Sequence, residues 1–219
     1  MLSIGLDWTK PRLGHVLCLG AHCDDIEIGC GGTMAKLADE HPGLTVTWVV
    51  WSSNPTRAEE ARASAEAVLA GVKSKEIVIN GFPDGFLPYH GAQVKEAFEE
   101  LKQRSTAPDL IFTHYRADLH QDHRLVSELT WNTFRDHLIL EYEIPKFDGD
   151  LGSPNVFVHL DRALCRRKID NLMRSFPSQA NHRWFSEETF QAILRLRGME
   201  SNAPEGYAEG FYGRKLVLG

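Results

Sequence analysis

Cysteine is scarce and unpatterned. Cys18, Cys23, Cys30 and Cys165 form no C-x-x-C pair and no disulfide-like framework. Long apolar runs are missing as well: Val46–Trp51, one of the most hydrophobic stretches, is far too short to cross a bilayer, so no membrane span is expected. Residues 1–20 lack the basic segment and apolar core of a secretory signal. A cytoplasmic, reducing location is the expectation. Basic charge is in deficit, with 24 Lys and Arg against 30 Asp and Glu. The cations gather only in short groups such as Arg166-Arg167-Lys168, which argues against a nucleic-acid partner. Repeats and low-complexity tracts are absent, and Asp148–Pro154 reads as a loop rather than a linker. The 219 residues are therefore expected to fold as one domain, 1–219.

What is present is an alternation of short β-rich runs and longer helical patterns, the signature of stacked βαβ units. Strands are expected at His15–Gly20, Leu44–Ser52, Glu76–Asn80 and Asp109–His114. Their nearly continuous apolar character suits parallel strands covered on both faces. Helices are expected at Gly32–Glu40, Thr56–Ala70, Ala92–Arg104 and from Gln121 to about Arg135. Beyond these, Leu138–Ile144 and Asn155–Leu160 read as strands, Asp161–Phe176 and Ser186–Arg197 as helices, and Arg214–Leu218 as a closing strand. The predicted fold class is α/β: a Rossmann-like three-layer sandwich with a mostly parallel sheet and an elaborated C-terminal third.

Chemistry concentrates in two segments, each following a strand: Gly20-Ala21-His22-Cys23-Asp24-Asp25-Ile26-Glu27 and Asp118-Leu119-His120-Gln121-Asp122-His123. With the usual strand order 3-2-1-4, the first and fourth strands are neighbours at the switch point where such sheets bind ligands. Two His/Asp-rich loops far apart in sequence would then face one crevice. Imidazole and carboxylate together suit Zn²⁺ or another first-row divalent ion. His22, Asp25 and His123 could supply three ligands and leave a fourth position open. Asp24 would remain to take a proton, His120 to polarise a carbonyl or protonate a leaving amine, and Asp122 to orient an imidazole such as His120. Plainer readings exist for each segment: a turn and helix cap at Asp24-Asp25, and a solvated helix start at His120–His123. Among the other histidines, His15, His114 and His159 lie on or beside strands and are weaker rival ligands.

These motifs resemble the LmbE/PIG-L family of zinc-dependent N-acetylglucosaminyl deacetylases, whose first motif is built on A-H-P-D-D followed by an acidic residue and a Gly-Gly pair. Here it reads Ala21-His22-Cys23-Asp24-Asp25-Ile26-Glu27 with Gly31-Gly32, and the family's H-x-D-H reads His120-Gln121-Asp122-His123. The resemblance implies His22, Asp25 and His123 as zinc ligands and Asp24 as general base. It implies His120 as general acid or oxyanion stabiliser, with Asp122 supporting it. Arg57-Ala58-Glu59-Glu60 resembles the family's R-x-x-E helix start, and Phe82-Pro83-Asp84-Gly85 its loop after strand three. Both imply substrate contacts, from Arg57 and Asp84 to sugar hydroxyls. Tyr207-Ala208-Glu209-Gly210-Phe211 resembles a further motif near the C-terminus. Cys23 stands where the family has Pro, placing a thiol that could compete with Asp25 for the metal.

The implied activity is removal of the N-acetyl group from an N-acetylglucosamine-type amino sugar or conjugate, a small-molecule substrate. A homo-oligomer is compatible with the sequence. Two rivals stand beside this reading. Gly29-Cys30-Gly31-Gly32 could serve as a nucleotide or S-adenosylmethionine loop, although the G-x-G-x-x-G fingerprint is absent. A non-catalytic metal- or sugar-binding protein is the other, although it would need neither Asp24 nor His120. Arg57 could equally pair with Glu60 on its own helix, and Asp84 before Gly85 could be only a turn.

Overall fold

The computed structural model describes residues 13–104 and 106–217. Seven strands form one sheet in the order β3-β2-β1-β4-β5-β7-β6. Five are parallel: β1 (His15–Gly20), β2 (Thr45–Ser52), β3 (Ser74–Phe82), β4 (Leu110–His114) and β5 (Leu138–Tyr142). β7 (Tyr207–Gly213) lies between β5 and β6 (Val156–Leu160), antiparallel to both. The mostly parallel α/β sandwich and its 3-2-1-4 order are as the sequence implied.

The apolar runs of the central strands are continuous because both faces are covered. On β1, Val16 and Cys18 pack into the core beneath α1 (Asp25–Glu40), α2 (Pro55–Val68), α5 (Arg162–Ser175) and α6 (Glu187–Glu200). Leu17 and Leu19 pack on the opposite face, under α3 (Gly91–Arg104) and α4 (Gln121–Thr133). β2 does the same with two tryptophans. Trp48 enters the first core, and Trp51 stacks on Phe98 at 4.3 Å in the second. Each such side chain contributes roughly 1.5–3 kcal/mol through burial, so both layers are anchored at the centre of the sheet.

Two elements differ from the sequence reading. α1 begins at Asp25, seven residues before the expected Gly32, and leaves helical geometry only at Cys30 (φ −141°, ψ 16°). Glycines of low helix propensity conceal this first turn, and they are there for close approach. A Cβ on Gly29 would lie 2.1 Å from the Tyr142 ring, and one on Gly32 2.5 Å from Leu160. Past the break the helix restarts on a borrowed cap. Glu209 of β7 accepts from the backbone of Gly32 (2.8 Å) and Thr33 (2.6 Å), and Lys168 neutralises it. This also removes the nucleotide-loop rival, because the amide of Gly32 is occupied by a carboxylate and the glycines face packed side chains.

The closing strand is Tyr207–Gly213 rather than Arg214–Leu218: Arg214–Val217 form no strand, and Leu218 lies outside the described residues. The buried Glu209 gives β7 a polar appearance in sequence, whereas its carboxylate is consumed by the cap. Among the described residues no helix is long and apolar enough to cross a membrane.

Candidate metal centre and active site

β1 and β4 pair directly (Val16↔Leu110, Cys18↔Phe112), so the loops that follow them leave the sheet side by side. The first carries His22 and Asp24 into the start of α1, and Asp25 opens that helix. The second, residues 115–120, ends on His120. This residue caps α4 by accepting from the Asp122 amide at 3.3 Å, which places Asp122 and His123 in the first helical turn.

Three donor atoms converge. His22 Nδ1 lies 3.0 Å from His123 Nε2 and 3.2 Å from Asp25 Oδ2, and His123 Nε2 lies 3.5 Å from the same oxygen. Donors bound to zinc at about 2.0–2.1 Å in a tetrahedron stand about 3.3 Å apart. The triangle therefore has the size of one tetrahedral face.

The outer atoms of both rings are held by carboxylates. His22 Nε2 lies 3.2 Å from Asp122 Oδ2 and 3.1 Å from Asp84 Oδ1, while His123 Nδ1 lies 2.9 Å from Asp118 Oδ2. A carboxylate behind each imidazole fixes the tautomer that turns its lone pair inward, the arrangement usual for metal-binding histidines. The electrostatics agree. Burial and the neighbouring His114 push His123 down to about 3, so it is neutral. Burial alone would also lower His22, but Asp25, Asp122 and Asp84 hold its pKa well above the ordinary value. The facing nitrogens His22 Nδ1 and His123 Nε2, 3.0 Å apart, leave a space that a divalent cation fits. Asp25 is resisted by burial yet held well below the usual carboxylate range by His123, His114 and His22. This donor set fits Zn²⁺ or another first-row divalent ion.

Other predicted residues fall into place with revised partners. Asp24 is buried: its Oδ1 accepts from the Arg57 guanidinium at 2.7 Å, while Oδ2 has no hydrogen-bond partner. Burial raises its pKa against the opposing pull of Arg57. Arg57, expected at sugar hydroxyls or paired with Glu60, contacts two acids, Asp24 at 2.7 Å and Glu60 at 3.6 Å. Asp122, expected behind His120, stands behind His22; its carboxylate also accepts from the amides of Gly85 (2.8 Å) and Leu87 (3.1 Å), which fixes the loop after β3. That loop holds Asp84 at the rim, its side chain 75% exposed. The His120 ring stands 4.8 Å from His22 and 4.6 Å from His123, centre to centre. Burial and the His22 charge lower its pKa. With Nδ1 accepting from Asp122, its Nε2 carries the proton.

The thiol of Cys23 turns away from the donor triangle and donates to the Ser52 carbonyl at 3.5 Å. Burial pushes it up to about 12. His114, a rival ligand by sequence, lies 3.1 Å from Asp25 Oδ2, but its Nε2 already accepts from the Ala21 amide (2.9 Å). Of the remaining strand histidines, His15 bonds Thr106 and Thr47.

Sequence reasoning assigned no role to Asp118, Lys146 or Asp150. Lys146 bridges the other two, 2.9 Å from Asp118 Oδ2, and so ties the loop after β5 to the site. Asp118 was visible as an acid two residues before His120. Lys146 had no local signal.

The GlcNAc-PI de-N-acetylase (PIG-L) model matches residues 17–134, more than half of the chain. The uncharacterized deacetylase YaiS of Escherichia coli K12 is 30% identical over 152 residues, covering 64% of this chain and 78% of that protein. Among solved structures, N,N'-diacetylchitobiose deacetylase from Pyrococcus horikoshii aligns with a TM-score of 0.71 at 23% identity, over 96% of this chain and 87% of its own. GalB, the 4-carboxy-2-hydroxymuconate hydratase of Pseudomonas putida KT2440, also reaches 0.71, at 15% identity over 94% and 98%. The fold therefore hosts more than one chemistry. The family match over residues 17–134 spans both His/Asp segments, and the chain belongs to the GlcNAc-PI de-N-acetylase (PIG-L) family.

Proposed function

We propose that this chain is a metal-dependent N-deacetylase that hydrolyses the acetamido group of an N-acetylglucosamine-type sugar or conjugate. The observation that carries the proposal is the donor triangle of His22, Asp25 and His123 beside a buried carboxylate oxygen, Asp24 Oδ2, with no partner of its own. His22 Nδ1, Asp25 Oδ2 and His123 Nε2 would hold Zn²⁺, or another first-row divalent ion. Bound there, the ion supplies Lewis acidity toward a carbonyl oxygen and lowers the pKa of water toward about 7.

The remaining work belongs to the chain's own groups. Asp24 takes the proton of the attacking water on Oδ2, while Arg57 holds Oδ1 and fixes the direction of the free lone pairs. Burial raises the basicity of that carboxylate, which a general base near neutrality requires. His120, neutral with its proton on Nε2, donates to the developing oxyanion and then to the departing amine. Asp122 and Asp118 keep the two imidazoles aimed inward. Asp84, exposed at the rim, accepts from sugar hydroxyls.

Acetate release from N-acetylglucosamine and its conjugates, before and after chelation and metal add-back, tests the reading. Activity lost on chelation and restored by zinc is the expected result. Undiminished turnover after complete metal removal overturns it.

A further inference from the structure

The loop after β5, residues 143–155, is clamped near both ends by groups outside the metal centre. At its start Glu143 pairs with the buried Arg197 of α6 (2.6 and 2.7 Å). Further on, the Gly152 carbonyl accepts from the same guanidinium (3.0 Å), and the Gly152 amide donates to the Tyr212 hydroxyl (3.1 Å). Between the clamps Gly149 takes a left-handed conformation (φ 64°), a turn that brings Asp150 back against Lys146 four residues earlier. Lys146 therefore reaches Asp118 from a loop whose path is already fixed.

The Asp118 carboxylate is shared among three donors. Oδ1 accepts from the His120 amide (2.8 Å), and Oδ2 accepts from both His123 Nδ1 and Lys146 Nζ, each at 2.9 Å. One oxygen thus serves an imidazole and an ammonium. The Lys146 side chain is 10% exposed and that of Asp118 3%, so solvent screens their interaction little. A carboxylate behind an imidazole strengthens it as a metal ligand, and an ammonium on the same oxygen draws that charge away. Asp150 opposes the draw by binding Lys146 from the other side, and the Leu119 amide holds its Oδ2 in place (2.7 Å).

We propose that Lys146 is a positioning residue that acts through Asp118 to weaken His123 as a metal ligand, with Asp150 setting how strongly it does so. This rests on the metal-dependent reading and adds a determinant of how tightly the ion is held. A residue that merely anchored the loop would be redundant beside Arg197, and its loss would weaken metal binding or leave it unchanged.

The test is zinc affinity by chelator competition on the full chain, a readout that needs no turnover. Outer partners of metal-binding histidines change affinity about 10–100-fold. Lys146→Met is expected to bind zinc about tenfold more tightly than wild type, and Asp150→Asn about tenfold more weakly. Lys146→Arg, which keeps the charge, should bind as wild type does. In the zinc-loaded protein the ¹⁵N shift of His123 Nδ1 should move towards that of a deprotonated ring in Lys146→Met and away from it in Asp150→Asn, a change that loop anchoring does not produce. Unchanged or weaker zinc binding by Lys146→Met overturns the proposal. If that variant fails to fold, zinc binding by Asp150→Asn as tight as wild type overturns it equally. Either failure leaves the metal-dependent reading standing. A zinc affinity that is the same in wild type and His123→Ala overturns that reading instead, and this proposal with it.

Discussion

Glu27 offers the sharpest stability test of the site's inner wall. Its side chain is buried, neither carboxylate oxygen has a hydrogen-bond partner, and it lines a cavity of about 90 Å³ behind α1 together with Arg167, Lys168 and Arg174. Burial raises its pKa from 4.5 to about 8. Because the folded protein holds this proton more tightly than the unfolded chain, the stability it contributes is complete below pH 4.5 and lost as pH rises through 8. At about 1.4 kcal/mol per pH unit, the ionisation penalty is about 1 kcal/mol at pH 5, about 3 at pH 7 and approaches 5 above pH 9. Glu27→Gln keeps the shape and removes the titration. The stability difference between variant and wild type, measured by urea unfolding at fixed metal concentration, should move in favour of the variant by about 4 kcal/mol between pH 5 and pH 9. A difference constant within about 1 kcal/mol would refute the reasoning. It would mean that one of the nearby cations swings in to neutralise the carboxylate.

Three further outcomes follow from the geometry. Asp24→Asn should retain the metal but lose about 10²–10⁴-fold in kcat, whereas Arg57→Met should leave metal affinity intact and move the acidic limb of the kcat profile upward, because the cation that lowers Asp24 is gone. Pre-steady-state acetate release together with metal analysis separates the two. Asp118→Asn, which breaks the support behind His123, should weaken zinc binding about 10–100-fold in a chelator competition while the far-ultraviolet dichroism stays unchanged. Gly29→Ala drives a methyl group into the Tyr142 ring. It should destabilise by about 1–3 kcal/mol and lower Tm by roughly 2–4 °C per kcal/mol in a calorimetric scan.

How much could be read beforehand follows from what kind of signal each feature leaves. The order of the first four strands and the meeting of the two His/Asp loops were legible, because βαβ handedness and strand-end placement are local rules applied repeatedly. The first turn of α1 was not, since its glycines answer to Tyr142 and Leu160 rather than to helix propensity. β7 was misplaced for the related reason that Glu209 serves a helix 176 or more residues away along the chain. Within the site, residue types were readable and pairings were not. Asp122 faces His22 instead of His120, and Arg57 bonds Asp24, a partner the sequence reading did not name for it. Those partners are set by how the loop after β3 and the start of α2 pack, which no spacing within a motif encodes.

The central claim, one divalent ion held by His22, Asp25 and His123, is tested most directly by X-ray absorption at the zinc edge of the loaded protein, alongside His123→Ala. A first shell of two imidazole nitrogens and further oxygens at about 2.0–2.2 Å, disrupted in the variant, is the predicted result. A sulfur scatterer at about 2.3 Å would bring Cys23 into the shell. That, or a spectrum unchanged by loss of His123, would contradict the account.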